Sequence, residues 1–161
     1  MEPRFRPSVT VAAVIERDGR YMLVEEETFD GLRYNQPAGH LEQGETLTDA
    51  VVREVLEETT YAFTPTACLG AYLCASQAKA DGAETTYLRF AFVGELGQED
   101  KSLKLDEGIV RTLWLSPDEI RALVPRHRSP LVMRCVDDHV RGKPLAGLDF
   151  LFTHPTALAA P

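Results

Sequence analysis

The segment Pro37–Tyr61, PAGHLEQGETLTDAVVREVLEETTY, constrains this chain more than any other stretch. Its second half predicts a helix. Thr46 and Asp49 stand at the spacing of a capped start, and Leu47, Ala50, Val51 and Val55 recur at helical intervals. At about 100° per residue, Glu54, Glu57 and Glu58 share a sector of roughly 100° that overlaps the one occupied by Leu47, Ala50 and Val51. A solvated helix turns its carboxylates away from its apolar stripe. Here one stripe runs from aliphatic to acidic. Like charges three and four residues apart repel by about a few tenths of a kcal/mol per pair, even when exposed. The pattern asks for a cation over the three acids. A hard divalent ion answers it, because Mg2+ takes oxygen ligands and keeps water and phosphate oxygens in its shell. A plain charge-rich helix face is the alternative reading of the same spacing.

The residues around the acids narrow that choice. Gly39, Glu45 and the run Arg53-Glu54-Val55-Leu56-Glu57-Glu58 stand at the intervals Gly-x5-Glu-x7-Arg-Glu-aliphatic-x-Glu-Glu, and in this the segment resembles the Nudix box. The box continues with x-Gly-aliphatic, where this chain has Thr60 and Tyr61. That glycine serves a left-handed turn out of the helix. Either Thr60 adopts the turn at a cost of about 1–2 kcal/mol, or the helix ends in another way.

The resemblance extends beyond the box. Tyr34-Asn35-Gln36-Pro37-Ala38-Gly39-His40-Leu41-Glu42, Tyr87-Leu88-Arg89-Phe90, Arg128-Ser129-Pro130-Leu131-Val132 and Pro144-Leu145 resemble the NudJ-type phosphatase branch of Nudix enzymes, with Tyr34 where that branch has Trp. The resemblance implies a single α/β domain, an α/β/α sandwich of mixed sheet with helices on both sides. It implies an Mg2+-dependent hydrolase, with Mn2+ as substitute, that releases phosphate from nucleoside di- and triphosphates and from hydroxymethylpyrimidine pyrophosphate. Within it, Glu57 and Glu58 are metal ligands joined by the Ala38 carbonyl, and Glu54 is a ligand or the general base. Arg53 orients Glu57, Glu45 supports the metal shell, and Gly39 belongs to the same framework. A further acid is expected from a loop, with Glu107 the candidate and Asp106 the alternate. Tyr34 is expected to stack a substrate ring, Asn35 and Gln36 to meet ring edges or complete a turn, and Arg89 to meet a phosphate or lie at the surface. The rival activities are pyrophosphohydrolysis of oxidised nucleotides or dinucleotide polyphosphates, and a non-catalytic ligand sensor.

Elsewhere the patterns are ordinary. Ser8–Ile15 and Tyr21–Glu25 read as strands joined at Arg17-Asp18-Gly19-Arg20, an Asp-Gly hairpin turn. Glu25-Glu26-Glu27 reads as a solvated strand end, and Phe29–Gly31 as a loop. Ala67–Ser76 and Thr86–Leu96 read as strands flanking a polar loop over Ala78–Glu84. In the second strand Leu88, Phe90 and Phe92 share one face, and Tyr87, Arg89 and Ala91 share the other. After a charged loop over Asp100–Leu105, Ile109–Leu115 is a strand, and Ser116-Pro117 starts a helix. Pro130–Arg141 is a second helix, capped by Ser129 and stopped by Gly142. The following segment packs back onto the domain, and Pro155–Pro161 is a frayed tail.

With 161 residues and a net charge of -8, the chain suits one domain and a small-molecule partner, a nucleotide or pyrimidine pyrophosphate. That charge argues against a nucleic-acid backbone or an anionic membrane. Phosphates must then be met by metal or by a locally positive patch. Cys68, Cys74 and Cys135 show neither disulfide nor zinc spacing. No run has signal-peptide character or membrane-spanning length, so a cytoplasmic monomer or small homo-oligomer is expected.

Overall fold

The computed structural model describes residues 4–75 and 84–158. Nine strands and three helices follow one another: β1 (Ser8–Val14), β2 (Glu16–Arg17), β3 (Arg20–Thr28), β4 (Gly31–Asn35), β5 (Ala38–His40), α1 (Leu47–Thr59), β6 (Tyr61–Ala75), β7 (Thr86–Glu99), β8 (Ile109–Leu115), α2 (Pro117–Ala122), α3 (Leu131–Val140) and β9 (Ala146–Gly147). One sheet runs β5-β1-β7-β6-β9, with β1 and β7 parallel and the remaining pairs antiparallel. In the other, β3 pairs β2 and β4 on one side and β8 on the other.

The expected sandwich follows from the two faces of β7. Phe92 packs with Val11, Met22 and the α1 residues Ala50, Val51 and Val55 in one core. Ala91 and Val93 pack in a second core with Ile120 of α2 and Val132, Cys135 and Val136 of α3. Fully burying each such aliphatic side chain contributes about 1.5–3 kcal/mol, so α1 is held to the sheet by its aliphatic half. Its acidic half lies one turn further along the same stripe.

The hairpin turn forms as its sequence requires, with Asp18 at φ 52° and Gly19 at φ 76°. Ser116 caps α2 in a reciprocal box with Glu119, and Ser129 Oγ accepts the Leu131 N–H at the start of α3. Gly142 follows α3 at φ 68°. Two strand bounds are revised. β6 begins at Tyr61 and not at Ala67, because register shifts at Tyr61/Phe63, Pro65/Ala67 and Cys68/Gly70 break the alternation that marks a strand in sequence. β7 runs on to Glu99, beyond Leu96. The expected loop over Ala78–Glu84 lies outside the described residues except for Glu84. Pro155–Ala157, at the start of the expected frayed tail, forms one 3-10 turn with the Thr156 N–H on His154 Nδ1. The segment before it does pack back, β9 pairing with β6.

Candidate active site

Helix α1 is fixed at both ends. Thr46 Oγ1 accepts the Asp49 N–H at 3.0 Å, and Asp49 returns to the Thr46 N–H. At the other end Thr60 takes the left-handed conformation, φ 63° and ψ 8°, and its N–H reaches Leu56 O at 2.9 Å. Of the two expected ways out of the helix, the chain takes the strained one. A β-branched residue with positive φ is an outlier, so Thr60 performs the turn that glycine would make without strain. The geometry of the acidic turn before it is kept.

Arg53 is the hub of the site. Its Nε and Nη2 form a fork on Glu45, at 3.0 and 2.8 Å. Nη1 reaches Glu54 at 2.7 Å and Glu57 at 3.1 Å, and Nη2 also donates to the His40 carbonyl at 3.0 Å. The guanidinium thus ties the loop before α1, strand β5 and two of the three box acids into one body. The expected contact with Glu57 is present, but Glu45 and Glu54 are the closer partners. The hydrogen bonds Arg53 donates to these carboxylates raise its pKa, that to Glu45 first.

Glu58 lies beneath the surface. Its Oε2 accepts the Ala38 N–H at 2.9 Å. Burial pushes its pKa up to about 8, the Ala38 hydrogen bond opposes that rise, and the charges of Glu54, Glu26 and Asp106 add to it. Burial likewise raises Glu54, against the pull of Arg53. Glu57 is the half-exposed member, its side chain 44% accessible. On either side of β5, the Pro37 carbonyl accepts the Ala13 N–H and the Leu41 N–H donates to the Val9 carbonyl, closing the flanking pairs with β1. In a strand the N–H and C=O of one residue point to the same side, so the Ala38 carbonyl turns with its N–H toward α1. Gly39 has no room for a side chain: a Cβ there would overlap the Glu54 carboxylate.

These groups fit a hard divalent cation in kind, all of them oxygen donors crowded by burial and mutual repulsion, with Gly39 leaving space for the Glu54 carboxylate. Among the described residues, no three His, Cys, Asp or Glu side chains converge on a single point. Arg53 draws Glu54 and Glu57 to itself, and Ala38 draws Glu58.

Of the two expected loop acids, Asp106 is the one linked to α1. Asp106 donates its N–H to the Glu57 carbonyl at 2.9 Å and its charge acts on Glu58. Glu107 is exposed and has no such link. A residue that sequence reasoning missed joins it. Glu26 lies on the α1-facing side of β3, in alternation with Met22, and its charge too acts on Glu58. Its Oε1 is buried without a hydrogen bond. The expectation of a solvated strand end therefore fails for Glu25 and Glu26. Glu25, 4% exposed, accepts from Arg111 at 2.7 Å and from the Tyr34 hydroxyl at 2.8 Å, and the Arg111 hydrogen bond leads in lowering its pKa. Sequence offered only a run of three glutamates, with nothing to say which of them had arginines opposite.

The expected substrate residues are buried. Tyr34 is 5% exposed, and the Arg126 guanidinium already covers its ring at 4.8 Å. Gln36 donates to Val132 O at 2.8 Å and accepts from Arg89 at 3.1 Å, while Asn35 accepts from Arg89 at 3.2 Å. Arg89 sits inside the protein, where burial lowers its pKa. These four side chains brace the strand that leads into Ala38 and Gly39. They do not form an open ring-binding wall.

An α/β/α sandwich that presents clustered carboxylates and a main-chain carbonyl beside a glycine cradle defines a hydrolase of phosphoanhydride bonds. The comparisons agree. The chain matches the NUDIX domain over residues 4–135, and it belongs to the Nudix hydrolase family, in its NudJ type. It is 36% identical over 139 residues to "Phosphatase NudJ" of Escherichia coli K12, covering 86% of this chain and 87% of that protein, with the same values for the Shigella flexneri protein. A NUDIX hydrolase structure from Nitrosomonas europaea is 50% identical, with a TM-score of 0.83 over 92% of this chain and 98% of that one. A MutT NUDIX hydrolase from Burkholderia pseudomallei shares the fold at 20% identity, with a TM-score of 0.65 over 83% of this chain and 98% of that one. Hydrolases of this family use divalent metals.

Proposed function

We propose that this enzyme is an Mg2+-dependent phosphatase that releases inorganic phosphate from short phosphoanhydrides, namely nucleoside di- and triphosphates and hydroxymethylpyrimidine pyrophosphate. The observation that carries the reading is the trio of box acids on one helix face, Glu54 and Glu57 tied by Arg53 and Glu58 held by the Ala38 N–H. The similarity to "Phosphatase NudJ" supports the phosphate-releasing outcome. In this reading Glu57, Glu58 and Ala38 hold the ion, with Glu54 as ligand or base and Asp106 in place of Glu107 as the outer acid. When bound, the ion neutralises charge on the phosphoryl oxygens and lowers the pKa of water. The chain's residues do the rest. Arg53 fixes Glu54 through one oxygen and leaves the other to accept a proton. Glu45 holds Arg53, and Asn35, Gln36 and Arg89 keep the strand carrying Ala38 in register. A reducing cytoplasm suits the three cysteines, all of them free.

The test is product analysis on a nucleotide panel with millimolar Mg2+, with Mn2+ and with EDTA. Inorganic phosphate formed only with metal is expected. Pyrophosphate plus monophosphate from every triphosphate, or preference for dinucleotide polyphosphates, would replace the reading by pyrophosphohydrolysis. No turnover of any anhydride would leave a ligand sensor.

A further inference from the structure

The motif Arg128-Ser129-Pro130 is left without a task by the site described so far. Its backbone is pinned beside the site. The Arg128 N–H donates to Tyr34 O at 2.8 Å, His127 forms a parallel bridge with Tyr34, and the His127 ring meets Ile120 O at 3.0 Å. The Arg128 side chain then reaches over β3, where its Nε lies 3.5 Å from the buried Oε1 of Glu26. No hydrogen bond joins the two, since that oxygen has no partner. Arg128 remains 44% exposed, and among the described residues no hydrogen bond uses its guanidinium.

The neighbouring arginines are engaged. Arg53 is held by Glu45, Glu54, Glu57 and His40, and Arg89 by Asn35 and Gln36. Arg33 is held by Asp30 and the Leu32 carbonyl. Arg111 and Arg126 both face Glu25, which alternates with Glu26 and so lies on the other face of β3. Arg128 is therefore an aimed cation with free donors, on the strand face that looks toward Glu58. The chain carries a net charge of -8, and a polyphosphate approaching three carboxylates needs such a group. A guanidinium fork matches two phosphate oxygens.

We infer that Arg128 is a substrate-binding residue that grips a phosphate of the di- or triphosphate opposite the box acids, and that Glu26 aims it. The inference rests on the phosphohydrolase reading. The test compares the wild type with Arg128→Ala, Arg128→Lys and Glu26→Gln, by steady-state kinetics on a nucleoside diphosphate. Calorimetry with an α,β-methylene nucleoside diphosphate, which cannot be cleaved, measures binding separately.

Arg128→Ala is expected to raise KM and the analogue Kd about tenfold or more, with kcat within threefold and Mg2+ affinity unchanged. Arg128→Lys, which keeps the charge without the fork, should fall between, and added guanidinium should restore part of the Arg128→Ala loss. Glu26→Gln should shift KM in the same direction by a smaller factor. KM and Kd within twofold of wild type in folded Arg128→Ala would overturn the assignment. If that variant does not fold, the same null result in Arg128→Lys overturns it. A wild type that binds the analogue but hydrolyses no anhydride would instead overturn the functional reading.

Discussion

Glu58→Gln separates what this helix does for catalysis from what it costs the fold. Glu58 is 9% exposed, and its pKa of about 8 stands above the ordinary 4.5 chiefly through burial. An acid with a raised folded pKa binds more protons folded than unfolded between the two values. The metal-free wild type therefore loses stability as pH climbs from about 4.5 to about 8, and the loss is complete above that range. Its size is on the order of 5 kcal/mol. Glutamine keeps the volume, accepts the Ala38 N–H through its carbonyl and does not titrate. In metal-free protein at pH 9, Glu58→Gln should melt about 10–20 °C higher than wild type. The gap should close toward pH 5, where wild-type Glu58 is itself neutral. Turnover should fall at least about a hundredfold, the scale seen when one strong electrostatic contact to a transition state is removed. The measurement is differential scanning fluorimetry in EDTA across pH 5–9, beside phosphate release. A variant that melts no higher than wild type at pH 9, or a gap independent of pH, would refute this account of the buried carboxylate.

Other substitutions probe single contacts. Gly39→Ala should cost more than tenfold in Mg2+ affinity by calorimetry, together with most of the activity, because its methyl group takes the place of the Glu54 carboxylate; unchanged affinity would count against the cradle. At position 60 the usual order should invert. Thr60→Gly should be more stable than Thr60→Ala by about 1 kcal/mol in urea melts, since only glycine relieves the left-handed φ. An equal or more stable alanine variant would show that Thr60 is unstrained. Tyr34→Phe removes a hydrogen bond to a buried carboxylate and should destabilise by about 1–3 kcal/mol. It should leave KM within twofold, whereas a large rise in KM would restore the ring-stacking role.

The box acids, their order along α1 and the class of chemistry were legible before any fold was known. Their spacing is a local property, and a helix turns fixed spacing into a shared face. The same holds for the Asp18-Gly19 turn and for the Ser116 cap, each set within four residues. The sequence was equally sufficient for the two faces of β7, since a strand alternates whatever it packs against. It could not say which side of that alternation would be sealed from water. Arg89 and Tyr34 have the composition of a binding wall, and α3, the Arg126 loop and Glu25 close over them, Arg126 from 92 residues beyond Tyr34 and Glu25 from 9 residues before it. Glu26 was one glutamate among three until β8, α1 and the Arg128 loop met around it. The sequence by itself determined that Glu54, Glu57 and Glu58 share one helix face, because helical periodicity needs no partner. The tertiary structure alone decided which polar groups crowd around Ala38 and Gly39, which are buried behind the strand that carries them and which keep an exposed guanidinium, because burial and pairing depend on segments brought together only by the fold.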